Sequence, residues 1–154
     1  MKPGQTKPAL ARKTGAAHSL PAASPATPEA TLPEQAFCTY QIIFDLPAPA
    51  RIAVGRFGSF DFPAGRYCYT GSARRAFEAR IRRHLSREKR LRWHIDYLLS
   101  APGVRIVDVH RLTLPECEVN RQTAGEIVVA GFGASDCRAA CGSHLKRIGA
   151  AALP

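Results

Sequence analysis

The sequence predicts a small α+β domain: a central, mostly antiparallel sheet with helices packed on it. Three observations lead there. Short β-branched and aromatic runs alternate with Gly- and Pro-rich breaks, the pattern of short strands. Apolar residues four apart inside an arginine-rich stretch mark an amphipathic helix. The chain has 154 residues, and the stretch beyond a Pro-rich opening segment is long enough for one core.

Residues 1–35 hold Pro3, Pro8, Pro21, Pro25, Pro28 and Pro33 among Ala, Ser and Thr, with few large apolar side chains. Such a segment cannot bury enough surface to offset its ordering entropy, so a disordered tail is expected, with one domain over 36–154. "TYQIIFDL" (Thr39 to Leu46) reads as a strand, broken by "PAPA". "RIAVGRFGSFDFPAGRYCYTG" reads as a hairpin, with Ile52 to Val54 and Arg66 to Thr70 as strand segments. Gly71-Ser72 turns the chain into a helix from Arg74 or Arg75 to Ser86, and "WHIDYLLS" reads as a short second helix. Val104 to Leu112 alternates as a strand. Pro115 opens a helix as its first residue, running to Ala124. "EIVVAGFGASDC" leads into a Gly-rich loop, and "SHLKRI" reads as a last edge strand.

The net charge is +10, and most of the cations lie in one third of the chain, from Arg51 to Arg92, with few acids among them. Arginine's planar fork can bond two phosphate oxygens at once, so the clustering points to nucleic acid. Arg74, Arg75, Arg83, Lys89, Arg90, Arg92 and His94 are the expected contacts. No apolar run is long enough to cross a membrane, and no secretory segment is visible. The five cysteines are odd in number. Reduced thiols and a cytoplasmic location are therefore expected.

The arginine helix carries the geometry of a site. Phe77, Ile81 and Leu85 form its expected buried stripe. At about 100° per residue, His84 and Arg80 fall together on one flank of that stripe, at the boundary of core and solvent, while Arg83 and Arg87 point to water. Tyr67 and Tyr69 share a strand face and Cys68 takes the other. A tyrosine ending a strand, a Gly-Ser turn and a helix bearing Arg and His make a compact polar corner.

This corner resembles the second half of the signature of the GIY-YIG endonucleases. There a Gly-Ile-Tyr strand is followed by a Tyr-Ile-Gly strand and a helix with Arg and His four apart. Tyr69-Thr70-Gly71 matches the second triplet, Ser72-Ala73 follows as in many members, and Arg80 and His84 match the helix pair. Cys38-Thr39-Tyr40 stands at the first triplet, with Cys38 in place of glycine, and an inserted hairpin lengthens the interval to Tyr69. That insert, with "LRWHIDYLLS" and "GFGASDC", resembles an uncharacterised branch of the superfamily, whose members occur alone or fused to DNA-repair domains. The resemblance covers nearly everything after the tail.

The resemblance implies a metal-dependent DNA endonuclease, in repair or processing, using one Mg²⁺ or Mn²⁺, with DNA favoured over RNA. Tyr40 would orient or deprotonate the attacking water, with His84. Arg80 would bind the scissile phosphate and Tyr69 a phosphate oxygen. The family's glutamate lies on a later helix, where Glu116 and Glu118 are the candidates. The Glu-x-Glu pattern of relatives favours Glu118 as the metal ligand, and Glu116 also suits the helix dipole without a catalytic role. A binding module of the same fold without cleavage is the alternative, because Cys38 would distort a backbone that needs glycine. A basic protein-interaction domain is a third.

His94 and Asp96 diverge by about 200° on a helix, so they do not readily share a ligand. Trp93 and Tyr97 read as packing, and His94 as a structural or DNA-facing residue. Cys137, Cys141 and His144 have metal-like spacing, but structural zinc takes four ligands. Cys117 or His110 could complete the set, and the sequence does not choose. A turn in which Ser135 and Asp136 bond the backbone is favoured over zinc, with Asp136 lining the cleft as the alternative.

Overall fold

A computed structural model of the chain describes residues 36–152, so the expected tail over 1–35 lies outside the described residues. The elements are β1 (Thr39–Leu46), β2 (Ala50–Val54), a 3₁₀ turn (Gly55–Phe57), β3 (Gly58–Phe62), β4 (Gly65–Ser72), α1 (Phe77–Leu85), α2 (His94–Leu99), β5 (Arg105–Leu112), α3 (Glu116–Gln122) and β6 (Leu145–Gly149). The α+β expectation holds. Four antiparallel strands pair in the order β5-β1-β4-β6, and β2 and β3 form a separate two-stranded ribbon. Among the described residues no helix is long and apolar enough to cross a membrane.

β1 is buried along its whole length, as a central strand covered on both faces must be. Side chains alternate across a strand. Tyr40, Ile42 and Phe44 therefore share a face with Gly71, Tyr69 and Tyr67, their partners on β4. That face meets α1 and the hairpin: Tyr40 packs against Phe77 and His84, Phe44 stacks on Tyr67, and Phe62 packs edge-on against Tyr67. On the opposite face Gln41 donates to Thr70 and to Thr123 just beyond α3.

Three expectations change. Ile52–Val54 does not pair with Arg66–Thr70; it pairs with β3, and β4 pairs with β1. The Gly- and Asp-containing segment "GSFDF" carried too little apolar signal to be read as a strand. α1 begins at Phe77 rather than Arg74 or Arg75, because Ala76 takes a left-handed conformation at φ 51°. Its buried residues are Ile81 and His84, whereas Leu85 is 38% exposed. The helix is rolled toward the histidine because two buried partners satisfy that ring. α3 also differs slightly: Pro115 precedes the helix, which ends at Gln122.

Candidate functional site

A cleft of about 330 Å³ opens where β4 leaves the sheet. β6 pairs with β4 from Arg66 to Tyr69, and the Thr70 N–H then bonds the His144 carbonyl, so Gly71 and Ser72 lie beyond the β6 ladder. Tyr40, Tyr69, Gly71, Ser72, Arg80, His84, Arg92, Trp93, His94, Glu116 and the loop residues Gly133, Ser135 and Asp136 line it. The structure thus brings Tyr40, Tyr69, Arg80 and His84 together from β1, β4 and α1.

Two glycines make room for the two tyrosines. A Cβ at Gly71 would lie 2.6 Å from the Tyr40 ring, and one at Gly133, whose φ is +67°, would lie 2.8 Å from the Tyr69 ring. Both contacts are far inside van der Waals distance, so glycine at each position lets a tyrosine seat against backbone. Cys38 needs no such freedom. It is not among the positive-φ residues, and its thiol donates to the carbonyls of Thr113 and Leu114 at 3.2 and 3.4 Å. The positive φ that would make cysteine distort the backbone there does not occur at Cys38.

Behind the cleft runs a buried chain of three side chains. Tyr40 Oη lies 2.9 Å from His84 Nε2, and His84 Nδ1 lies 3.1 Å from Asp96 Oδ1. Asp96 is fully buried. Burial pushes its carboxyl pKa up, but His84, Arg83 and the backbone N–H groups of Trp93 and Arg92 more than offset this, holding it well below the usual carboxylate range. An ionised Asp96 only accepts, so His84 donates from Nδ1, and in a neutral ring Tyr40 donates to Nε2. Burial pushes the Tyr40 hydroxyl above its ordinary pKa despite the nearby Arg80 charge. Tyr69 is shifted the same way, again chiefly by burial. Both are phenols at neutral pH.

Arg80 is half-buried. One of its nitrogens donates to the Ser72 carbonyl at 2.8 Å, and its guanidinium lies 5.2 Å from the Trp93 ring centre. The fork also reaches toward the Tyr40 hydroxyl, and its planar array of donors suits an oxyanion in the cleft.

Of the two candidate glutamates, Glu116 lines the cleft, beside Asp136 of the loop, and Glu118 does not. Glu116 accepts a short hydrogen bond from Ser72 and lies 2.8 Å from His144 Nδ1, an ion-pair contact rather than a linear hydrogen bond. Burial raises its pKa, but His144, Ser72 and Arg80 outweigh that and the net shift is downward. Glu118 does not line the cleft and contacts Gln122 on its own helix. Two residues along a helix is a turn of about 200°, so the two glutamates cannot face the same way, and β4 selects the first through Ser72.

The expected nucleic-acid contacts divide. Arg74, Arg75, Arg90 and Arg92 are exposed, and Arg92 lines the cleft. Arg83 does not point to water: it forms a two-pronged pair with Asp96 at 3.1 and 2.9 Å and lies 4.1 Å over the Trp93 ring. Lys89 is half-buried and donates to the His84 carbonyl. Both cations brace the histidine's helix. His94 lines the cleft, stacks on Phe57 and accepts the Gly133 N–H at 3.1 Å. Burial lowers its pKa, consistent with an acceptor nitrogen.

Sequence reasoning missed Asp96 as part of the site. The usable signal was the acceptor that His84 must have on its second nitrogen, with Asp96 the acid in the adjoining helix. In the Gly-rich loop, Ser135 and Asp136 line the cleft instead of bonding the backbone, and the turn is held by backbone bonds together with the Gly133 N–H bond to His94. Cys117, from the first turn of α3, joins Cys137, Cys141 and His144 in a cluster that could hold a metal ion, with one ligand atom from each all within 4.8 Å of one another. His110 instead pairs with Asp108 on β5.

Residues 39–153 match the family described as Domain of unknown function DUF123. No curated protein and no solved structure matches the chain. The chain belongs to the DUF123 family.

Proposed function

We propose that this DUF123-family protein is a metal-dependent endonuclease that hydrolyses phosphodiester bonds, with DNA favoured over RNA. The observation that carries the reading is the convergence in one cleft of Tyr40, Tyr69, Arg80, His84 and Glu116. These groups can activate water, hold an anion and bind a cation, the three needs of the reaction.

Tyr40 is a weak base while it remains a phenol. It gains strength as a relay. As its oxygen takes a proton from the attacking water, its own proton passes to His84 Nε2, and Asp96 stabilises the resulting imidazolium. The water oxygen forms its bond to phosphorus, the opposite P–O bond breaks, and the leaving oxygen takes a proton from solvent. Arg80 meets the charge that grows on the phosphoryl oxygens. Tyr69 orients one of those oxygens. Arg74, Arg75, Arg90 and Arg92 draw in the flanking backbone.

Glu116 would hold the Mg²⁺ or Mn²⁺. What supports the fit is a carboxylate whose pKa is shifted downward, a side chain 24% exposed, and its place in the cleft lining. Such ions take one or two protein carboxylates and fill the remaining positions with water and phosphate oxygens. When bound, the ion would neutralise phosphate charge and ease departure of the leaving oxygen.

The test is cleavage of supercoiled, branched and single-stranded DNA with Mg²⁺, Mn²⁺ or EDTA. Metal-dependent nicking that falls ~10²–10³-fold in Arg80→Ala is expected, as on removing a main transition-state donor. Unchanged nicking by a folded Arg80→Ala protein would refute the site. Salt-sensitive binding without nicking would leave a binding module.

A further inference from the structure

The cluster at the base of the Gly-rich loop has a geometry that the phosphodiester reading leaves unused. Cys117 Sγ and Cys137 Sγ are 3.7 Å apart. Tetrahedral zinc with Zn–S bonds of ~2.3 Å separates its sulfurs by ~3.8 Å, whereas a disulfide needs ~2.05 Å. Cys141 Sγ and a ring nitrogen of His144 complete a four-atom group, all within 4.8 Å. Three thiols and an imidazole are a donor set that selects zinc over hard cations.

His144 supplies an independent observation. The residue is 2% exposed, and neither ring nitrogen has a hydrogen-bond partner among the described residues: Nδ1 has only its ion-pair contact with Glu116, and Nε2 has none. A buried ring nitrogen left without a partner is costly, so something should meet it. Nδ1, 2.8 Å from a Glu116 oxygen, must carry the proton, because a lone pair there would repel the carboxylate. In a neutral ring the lone pair then sits on Nε2.

The loop backbone is set to deliver these groups. Ala140 and Gly142, on either side of Cys141, both take left-handed conformations, at φ 51° and 76°. For alanine this costs ~1–2 kcal/mol, and such strain persists where surrounding structure or a ligand fixes it. Backbone bonds from Gly131 to Gly142, from His144 to Phe132 and from Thr70 to His144 pin the loop to itself and to β4.

We infer that Cys117, Cys137, Cys141 and His144 Nε2 bind one structural zinc ion, and that His144 Nδ1–H passes the constraint to Glu116. The metal thus fastens α3 to the loop and sets the orientation of the cleft carboxylate. Glu116 is an outer partner of the zinc, as carboxylates behind zinc-bound histidines commonly are. The assignment stands whether or not the cleft cuts DNA.

The test uses the full chain, purified without chelator, and reads metal rather than cleavage. Elemental analysis should find one zinc per chain, lost in Cys141→Ser. Co²⁺ exchanged into the site should give the absorption of a tetrahedral thiolate complex. His144→Cys should keep one zinc, because it substitutes one ligand for another. Glu116→Ala should also keep it but bind it ~10–100-fold more weakly against a competing chelator, the usual effect of removing such an outer partner. A folded wild-type protein that holds no zinc and takes up neither zinc nor Co²⁺ would overturn the site, as would a Cys117–Cys137 disulfide in its place. Equal zinc affinity in wild type and Glu116→Ala would overturn the link to the cleft. If Cys141→Ser does not fold, the wild-type stoichiometry and the Glu116→Ala affinity still decide the matter.

Discussion

Two buried histidines flank the cleft, and each stands behind a side chain that faces it. His84 backs Tyr40 and His144 backs Glu116. The difference lies in what each ring meets on its far side. His84 ends on Asp96, a carboxylate with its own partners, so that arm is closed by protein groups alone. His144 has an unpartnered Nε2 and three thiols nearby. The first arm rests on regular elements, α1 and α2; the second rests on a loop with left-handed turns. A helix can hold a histidine with one buried acid, whereas a loop without regular backbone bonding calls for a stronger fastener.

The largest expected effect breaks the closed arm. Asp96→Ala leaves a guanidinium, an imidazole and two backbone N–H groups without their common acceptor. Removing one partner of a buried ionic network costs ~3–5 kcal/mol, measurable by urea unfolding. Chelator should leave this loss unchanged, since the thiol cluster belongs to the other arm.

The same carboxylate gives the arm a pH signature. Asp96's folded pKa is depressed, so the unfolded chain binds more protons as acid is added. Its stabilising share is fully present above the ordinary aspartate value of ~3.9 and fades as pH falls below that toward the folded value. Asp96→Asn should flatten the stability profile in that acid range. An unchanged slope would mean that Asp96 is not held as an ion.

A smaller effect compares the glycines beneath the two tyrosines. Gly71→Ala should cost ~1–3 kcal/mol by overpacking against the Tyr40 ring. Gly133→Ala adds the strain of a left-handed alanine to its clash with Tyr69, so its loss should be greater. Thermal unfolding ranks them. The smallest effect lies at the cleft rim: Arg92→Ala should reduce the salt slope of DNA binding by ~1 and leave the unfolding free energy nearly unchanged.

The closed arm was legible in part: helical spacing puts Arg80 and His84 on one flank and the triplet resemblance brings in Tyr40, but the closing carboxylate, Asp96, was missed. The open arm was legible only as alternatives: Glu116 or Glu118, and Cys117 or His110 beside Cys137, Cys141 and His144. Which glutamate faces the cleft depends on how α3 is rolled about its axis, and a hydrogen bond from Ser72 sets that roll. Cys117 is twenty residues from Cys137, and no periodicity links a helix's first turn to a distant loop. Arg83 reads as solvated from its helix position because its partner, Asp96, belongs to the next helix. The β2–β3 ribbon was half legible, with one strand clear and its partner too poor in apolar residues to be counted.

The central claim is that both arms serve one phosphodiester site, and the most direct measurement compares metal-dependent nicking of supercoiled DNA by wild type, Tyr40→Phe, Glu116→Ala and Glu118→Ala. Nicking is predicted for wild type and Glu118→Ala, with losses of at least ~10²-fold in Tyr40→Phe and Glu116→Ala. Equal nicking by wild type and Glu116→Ala, with loss in Glu118→Ala instead, would contradict it.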